Sequence, residues 1–398
     1  MSVLARDRAT QARNGDLVVF AVNGFALASW MSRIPDVREL LQLTPTMLSL
    51  LLLSLSVGSI IGLPIAGRIA HHLGAATTVR LGMASMLLGS VLAAVATQAQ
   101  APFYLVAPGV FLLGFGTGVW DIAQNLEGTI IERAVGRAIM PWFHAAFSGG
   151  TVAAALIGAG MTALRVPLVV HLGTVAALVG LAALWGTAQF LPAFDDAEPE
   201  PQGHAAAGRS AWTEPRTLLI GVMVLAAGFA EGTANDWLAV AFVDGHHLDN
   251  AMGVVALAVF LSFMTAGRLL GASMLDRYGR VVVLRTLFIA SIVGCLLVVF
   301  GSPVPAFVGA AIWGVGASLG FPVGMSAAAD EPARAPMRIS VVSTIGYGAF
   351  LAGPPLLGLL GESFGILRSL LVVGAMAAAA ILVVPAAKPP VGSTPVGH

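Results

Sequence analysis

The 398-residue chain is short of charge: 10% of its residues are Asp, Glu, Lys or Arg, and the two signs cancel to a formal net charge of zero. Soluble domains carry roughly 25% charged residues, so a chain with less than half of that cannot cover a water-facing surface. The balance of signs also excludes a basic patch able to neutralise many phosphates, and with it a nucleic-acid partner. Cysteine is nearly absent. Cys295, standing alone, permits no intramolecular disulfide and no multi-cysteine zinc or iron–sulfur centre. There is no His-Glu-x-x-His and no phosphate-binding loop, which leaves an enzyme reading without a metal or cofactor motif. No cofactor and no metal is expected.

What is abundant is hydrophobicity, 57% of residues, and glycine, 47 of them. Both suit a lipid bilayer, where small residues let helices approach closely and apolar tails remove the hydrophobic drive for helix association. A hydrocarbon core about 30 Å thick takes about 20 residues of helix. That ruler finds twelve spans: 17–36, 46–70, 77–97, 103–131, 140–163, 166–191, 217–241, 251–275, 281–301, 304–328, 338–361 and 365–385. The stretch from Leu48 to Ile61 lacks the in–out alternation of a membrane β-strand. The fold class is an all-α polytopic membrane protein.

With the N-terminus inside, sixteen Arg and Lys fall in inner loops or at inner helix ends, Arg268, Arg277 and Arg280 among them, against Arg33, Arg38, Arg165 and Arg368 outside. Cytoplasmic loops retain such residues, so both termini are expected in the cytoplasm, with an uncleaved first helix in the plasma (inner) membrane. Residues 192–216 are acidic and turn-rich, a solvated linker between a bundle at 1–191 and another at 217–385, with a cytoplasmic tail at 386–398. The halves read as copies. Asn23-Gly24-Phe25-Ala26 recurs as Ala227-Gly228-Phe229-Ala230, Gly62 to Gly74 matches Gly267 to Gly279, and Gly114-Phe115-Gly116 matches Gly314-Val315-Gly316, at offsets of 200 to 205. Two pseudo-symmetric six-helix bundles place a ligand site between them, near the bilayer midplane.

Asp276-Arg277-Tyr278-Gly279-Arg280, after the eighth span, resembles the cytoplasmic loop signature Asp-Arg-x-Gly-Arg of the major facilitator superfamily of secondary transporters, and the likeness covers the whole chain. The resemblance implies that superfamily's twelve-helix fold and its alternating access. The first half keeps a worn copy, Gly67 and then His71-His72-Leu73-Gly74-Ala75, where the family places Asp-Arg and a basic residue. Asp121-Ile122-Ala123-Gln124-Asn125 is similar to the acid-x-x-x-Asn element of the fucose permease-like sugar:proton symporters, although Met31 stands four before Pro35 where those permeases carry an Asp. The proline-glycine motif of the superfamily's drug antiporters is missing from the fifth span; Gly353-Pro354-Pro355 sits in the eleventh instead.

An ionised group at mid-bilayer costs several kcal/mol, so acids there face a cavity and perform transport. Asp121 and Glu231 are the candidates for proton coupling, each in a Gly-x-x-acid-x-x-x-Asn pattern that puts Gly118, Asp121 and Asn125, or Gly228, Glu231 and Asn235, on one helix face. The glycines would flatten a cavity wall, the amides bind a polar substrate and the acids exchange a proton. The competing reading of each acid is an interfacial one, and Asp236 divides evenly between the cavity and the outer headgroups. Asn23, Trp120, Gln124, Asn125, His144, Asn235 and Asp236 complete the candidate substrate site. His144 reads either as a proton relay or as a helix-capping hydrogen bonder, and Trp30, Trp120 and Trp237 either stack on a sugar ring or anchor at the interface. Arg33 beside Asp36 reads as a snorkelling side chain or a local ion pair or, turned inward, as an anion binder. Asp276, Arg277 and Arg280 are assigned to gating, joining the halves in the outward-open state. The expected function is a monomeric, proton-coupled transporter of a small polar solute. Its alternative is a proton-antiport exporter of drugs or hydrophobic metabolites.

Overall fold

The computed structural model describes residues 3–136, 139–191, 210–331 and 333–389, and among them the chain is helical without strands. Eleven helical stretches are long and apolar enough to cross a membrane, and one of them, Pro45–Gln98, is broken at Gly74 into two crossings. The twelve are α1 (Asp7–Leu40), α2 (45–73), α3 (75–98), α4 (Phe103–Val135), α5 (Met140–Ala163), α6 (Leu168–Thr187), α7 (Pro215–His246), α8 (250–278), α9 (280–300), α10 (Pro303–Ala328), α11 (Ala335–Phe364) and α12 (Ile366–Ala387). The linker expected at 192–216 lies outside the described residues up to 209, as does the tail from 390. Twelve crossings bring the start of α1 and the end of α12 to one face, the terminal face; the opposite one is the far face.

The internal repeat of the sequence is a repeat of backbone geometry. Gly74 has φ 77° and ψ 165°, and Gly279 has φ 75° and ψ 160°. L-residues with a side chain rarely adopt this conformation, so glycine is required at both breaks. The helices leading into them start alike: Thr44 caps α2 by accepting from the Met47 N–H at 3.3 Å, and Asp249 caps α8 by accepting from the Met252 N–H at 2.8 Å. Close approach recurs too. A Cβ on Gly116 would stand 2.2 Å from the Met86 nitrogen at the α3–α4 crossing, and one on Gly294 would stand 2.5 Å from the Trp313 nitrogen at the α9–α10 crossing. Small residues thus let backbone meet backbone, the packing available where lipid replaces water.

The halves, α1–α6 and α7–α12, meet along α2 with α11 and α5 with α8. At the far face this seam is closed. Arg38 at the end of α1 pairs with Asp244 of α7. The Asn250 amide of α8 donates to Asp36 Oδ1 at 2.8 Å and to Glu39 Oε2 at 2.6 Å, and the Thr46 hydroxyl donates to Glu362 Oε2 at 3.1 Å. On the terminal face every ion pair among the described residues stays within the second half: Glu214 with Arg334 and Arg338, Arg338 with Glu331, and Asp330 with Arg216 and Arg280. The polar ties between the halves therefore sit on the far face.

Candidate functional site

Asp121 lies about 21 Å of helix before the end of α4 at Val135, deep in the crossing rather than at its headgroup end. A one-turn step brings Gln124 and Asn125 over the same carboxyl. Gln124 Nε2 donates to Asp121 Oδ1 at 3.2 Å, and Asn125 Nδ2 donates to the Asp121 carbonyl at 2.8 Å and to its Oδ1 at 3.3 Å. From α1, Asn23 Nδ2 donates to Gln124 Oε1 at 3.2 Å. Asn23 and Gln124 are fully buried, whereas Asp121 and Asn125 keep partial exposure. Four of the residues chosen from the sequence thus form one chain of hydrogen bonds, with an acid and an amide at its open end.

The glycines beside them do something else. A Cβ on Gly114 would sit 2.0 Å from the Leu55 carbonyl oxygen, and one on Gly118 would sit 2.3 Å from that of Ser59, so both are packing sites against α2 rather than a flattened cavity wall. Trp120 is also misplaced by the sequence reading. Its backbone packs on Gly82 of α3, and its ring is 0% exposed. Trp30 and Trp237 are each 1% exposed, so none of the three anchors at an interface or offers a ring to a ligand; the exposed tryptophans are Trp142, Trp185 and Trp212.

In the second half Glu231 is half of an ion pair. Arg268 Nη2 of α8 lies 2.8 Å from Oε1 and 2.9 Å from Oε2 of Glu231, and Arg268 Nε donates to the Ser318 carbonyl at 3.2 Å. The sequence counted Arg268 with the inner-end cations that set topology; its place is inside the crossing. The signal was available, because an arginine within a predicted apolar span demands a partner. Asn235 and Asp236 fall in a π-helical turn, Ala234–Leu238, of a kind that recurs at functional sites. Both are partly exposed, the Asn235 side-chain Oδ1 lacks a partner among the described residues, and Asp236 shares a small apolar pocket with Phe229, Phe350 and Pro354. Its place is the interior of the crossing, not the outer headgroups.

Two further pairs lie within Coulomb range across the seam. His144 of α5 is exposed, sets its ring edge-on to Phe20 at 5.5 Å and lies within Coulomb range of Arg268. Tyr347 of α11, which the sequence reading missed, is 36% exposed and within Coulomb range of Asp121. The first half's acid thus faces a phenol of the second, and the second half's guanidinium faces an imidazole of the first. Arg33 forms the local pair expected of it, 2.8 Å from Asp36, and is 3% exposed. Of the gating residues, Arg280 binds Asp330 at 2.7 Å and the Ser326 hydroxyl at 3.0 Å, Arg277 lies 5.2 Å from the Tyr278 ring centroid, and Asp276 is exposed. None of these contacts joins the halves here.

Comparison with known proteins follows the same lines. The Major Facilitator Superfamily sequence model matches residues 17–270 and 250–397. The uncharacterised transporter y4wD of Sinorhizobium fredii is 32% identical over 374 residues, covering 93% of this chain and 96% of the relative. A mutant of the nucleoside transporter NupG superimposes with a TM-score of 0.77 at 15% identity, over 94% of this chain and 98% of that one. The E. coli fucose:proton symporter FucP does so with a TM-score of 0.64 at 16% identity, over 95% and 99%. At such identities the two structures share the fold of this chain.

Proposed function

The chain belongs to the major facilitator superfamily and is a transporter, not an enzyme, and on that premise we propose that it is a proton-coupled carrier of a small polar solute, sugar-like or a related metabolite. In this reading it sits in the inner membrane as a monomer, with the terminal face in the cytoplasm. The observation that carries the proposal is the Asn23–Gln124–Asp121–Asn125 chain, in which a deeply placed acid has two amide donors and no ion-pair partner among the described residues. Such an end takes up and returns a proton, while the amide and the Tyr347 hydroxyl are suited to the hydroxyls of a substrate. Glu231 adds the second coupling group. A proton on its carboxyl dissolves the pair with Arg268 and leaves that guanidinium free to hold a substrate oxygen.

NupG is a nucleoside transporter and FucP a fucose:proton symporter, and both names support a polar substrate with several hydroxyls. Alternating access then swaps two sets of ties: the Arg38, Asn250 and Thr46 contacts open on the far face as Asp276, Arg277 and Arg280 bring the halves together on the other. The test has two stages. A melting-temperature screen against sugars, nucleosides and organic acids finds the ligand, because a ligand of the folded state must stabilise it. Uptake of that ligand into proteoliposomes should then follow an imposed pH gradient and fail to do so in Asp121→Asn and Glu231→Gln. Gradient-insensitive uptake sinks the coupling. Extrusion in exchange for protons favours the exporter.

A further inference from the structure

Asp16 of α1 is 0% exposed, and neither of its carboxyl oxygens has a hydrogen-bond partner among the described residues. Beside it on α4 lies Glu127, 1% exposed and within Coulomb range. Asp16 Oδ2 would stand 3.3 Å from a Cβ on Gly128, the residue after Glu127 on α4, and the same position faces Met140 and Phe143 of α5. Glu127 Oε1 accepts from the Leu191 N–H at 2.8 Å, just where the chain leaves α6.

The charged and titratable groups around these two acids do not neutralise them. On α5, His144 lies beyond Phe20 and within range of Arg268. On α4, Asp121 is engaged by Gln124 and Asn125, and Glu132 accepts from the Ile139 and Met140 N–H groups. On α1, Arg13 is turned to Asn14 at the surface, and from α6 the approach to neighbouring Gly15 is made by the uncharged Gly186 and Gln189. Two buried carboxyls within Coulomb range, with no cation beside them among the described residues, cannot both stay ionised.

We propose that Asp16 and Glu127 form a proton-binding site separate from the central cavity, holding one proton between them while the far face is closed. Its release to water at the terminal face breaks one carboxyl O–H bond and leaves two like charges within Coulomb range, which pushes α1 from α4. None of these residues enters the transport reading above, and the test needs no substrate.

The full chain is reconstituted as wild type, Asp16→Asn and Glu127→Gln, and followed by melting temperature between about pH 6 and pH 9, where a shared proton makes stability fall as it leaves, and by infrared absorption of protonated carboxyls. The expected result is a protonated-carboxyl band present in the wild type and missing from Asp16→Asn, together with an alkaline fall in melting temperature that is smaller in the variant. A superimposable band, or a parallel melting profile, overturns the proposal. Should Asp16→Asn fail to fold, Glu127→Gln decides: without the like charge beside it Asp16 gives up its proton at lower pH, so the alkaline fall moves downward, and an unmoved fall overturns the proposal.

Discussion

Replacing Asn250 with alanine removes the one neutral side chain that ties the second half to two carboxylates of the first. Its amide donates to Asp36 Oδ1 at 2.8 Å and to Glu39 Oε2 at 2.6 Å. A hydrogen bond to a charged group contributes about 1.5–3 kcal/mol when shielded, and the Glu39 contact is exposed, so the two together are worth about 2 kcal/mol. The neighbouring Arg38–Asp244 pair looks stronger, yet its side chains are 24% and 26% exposed, and such a pair contributes about 1 kcal/mol or less. The amide should outweigh the ion pair. About 2 kcal/mol moves the balance between far-face-closed and far-face-open states by roughly 30-fold. Spin labels at Gln100→Cys and Ser302→Cys, both exposed on the far face of opposite halves, report the separation, and the native Cys295 is 0% exposed. Asn250→Ala should add a population at longer distance, and Asp244→Asn a smaller one. An unchanged distribution in Asn250→Ala, or a larger shift in Asp244→Asn, refutes the reasoning.

Gly116→Ala should lower the melting temperature, because its Cβ would meet the Met86 nitrogen at 2.2 Å and overpacking costs about 1–3 kcal/mol. Gly160→Ala, with nothing within 4 Å, should leave it unchanged or raise it through a helix preference of about 1 kcal/mol. Glu231→Gln leaves Arg268 uncompensated, and since those side chains are 19% and 30% exposed the loss should be about 1–2 kcal/mol, below the range for fully buried pairs. The double variant Glu231→Gln with Arg268→Gln should recover most of it in a melting-temperature cycle. On the terminal face, burial pushes the Glu214 carboxyl up, but the Thr217 hydroxyl and the Arg338 and Arg334 guanidiniums outweigh it and hold it below the usual carboxylate range. Stability from a depressed acid is full above its unfolded value of about 4.3 and lost as pH falls through the folded one. Emission from nearby Trp212, 52% exposed, should therefore change below about pH 4 in the wild type and show no such step in Glu214→Gln.

The crossings were legible because hydropathy length is set by the bilayer, and the repeat because Gly74 and Gly279 perform the same backbone task. The Asn23–Gln124–Asp121–Asn125 chain was legible in part from helical spacing, which puts residues three and four apart on one face. Spacing does not say which neighbour that face meets. Gly114 and Gly118 share the stripe with Asp121 yet touch α2, and Trp120 turns to α3. The Glu231–Arg268 pair joins two crossings, and charge counting had assigned its arginine to a loop. Asp16 stood one residue outside the first apolar span, which the ruler began at 17, whereas the helix itself begins at Val3.

The backbone-to-backbone seams at Gly116 and Gly294 have a mechanical consequence. Helices locked at such short range cannot slide or shear past one another without collision, so α3 with α4, and α9 with α10, each form one stiff lever. A stiff lever has a fulcrum, and an opening at one end is a closing at the other. In the alternating access proposed above, the small amide of Asn250 and the distant Asp276–Arg280 segment belong to a single balance, and a change of one hydrogen bond on the far side is felt at the other.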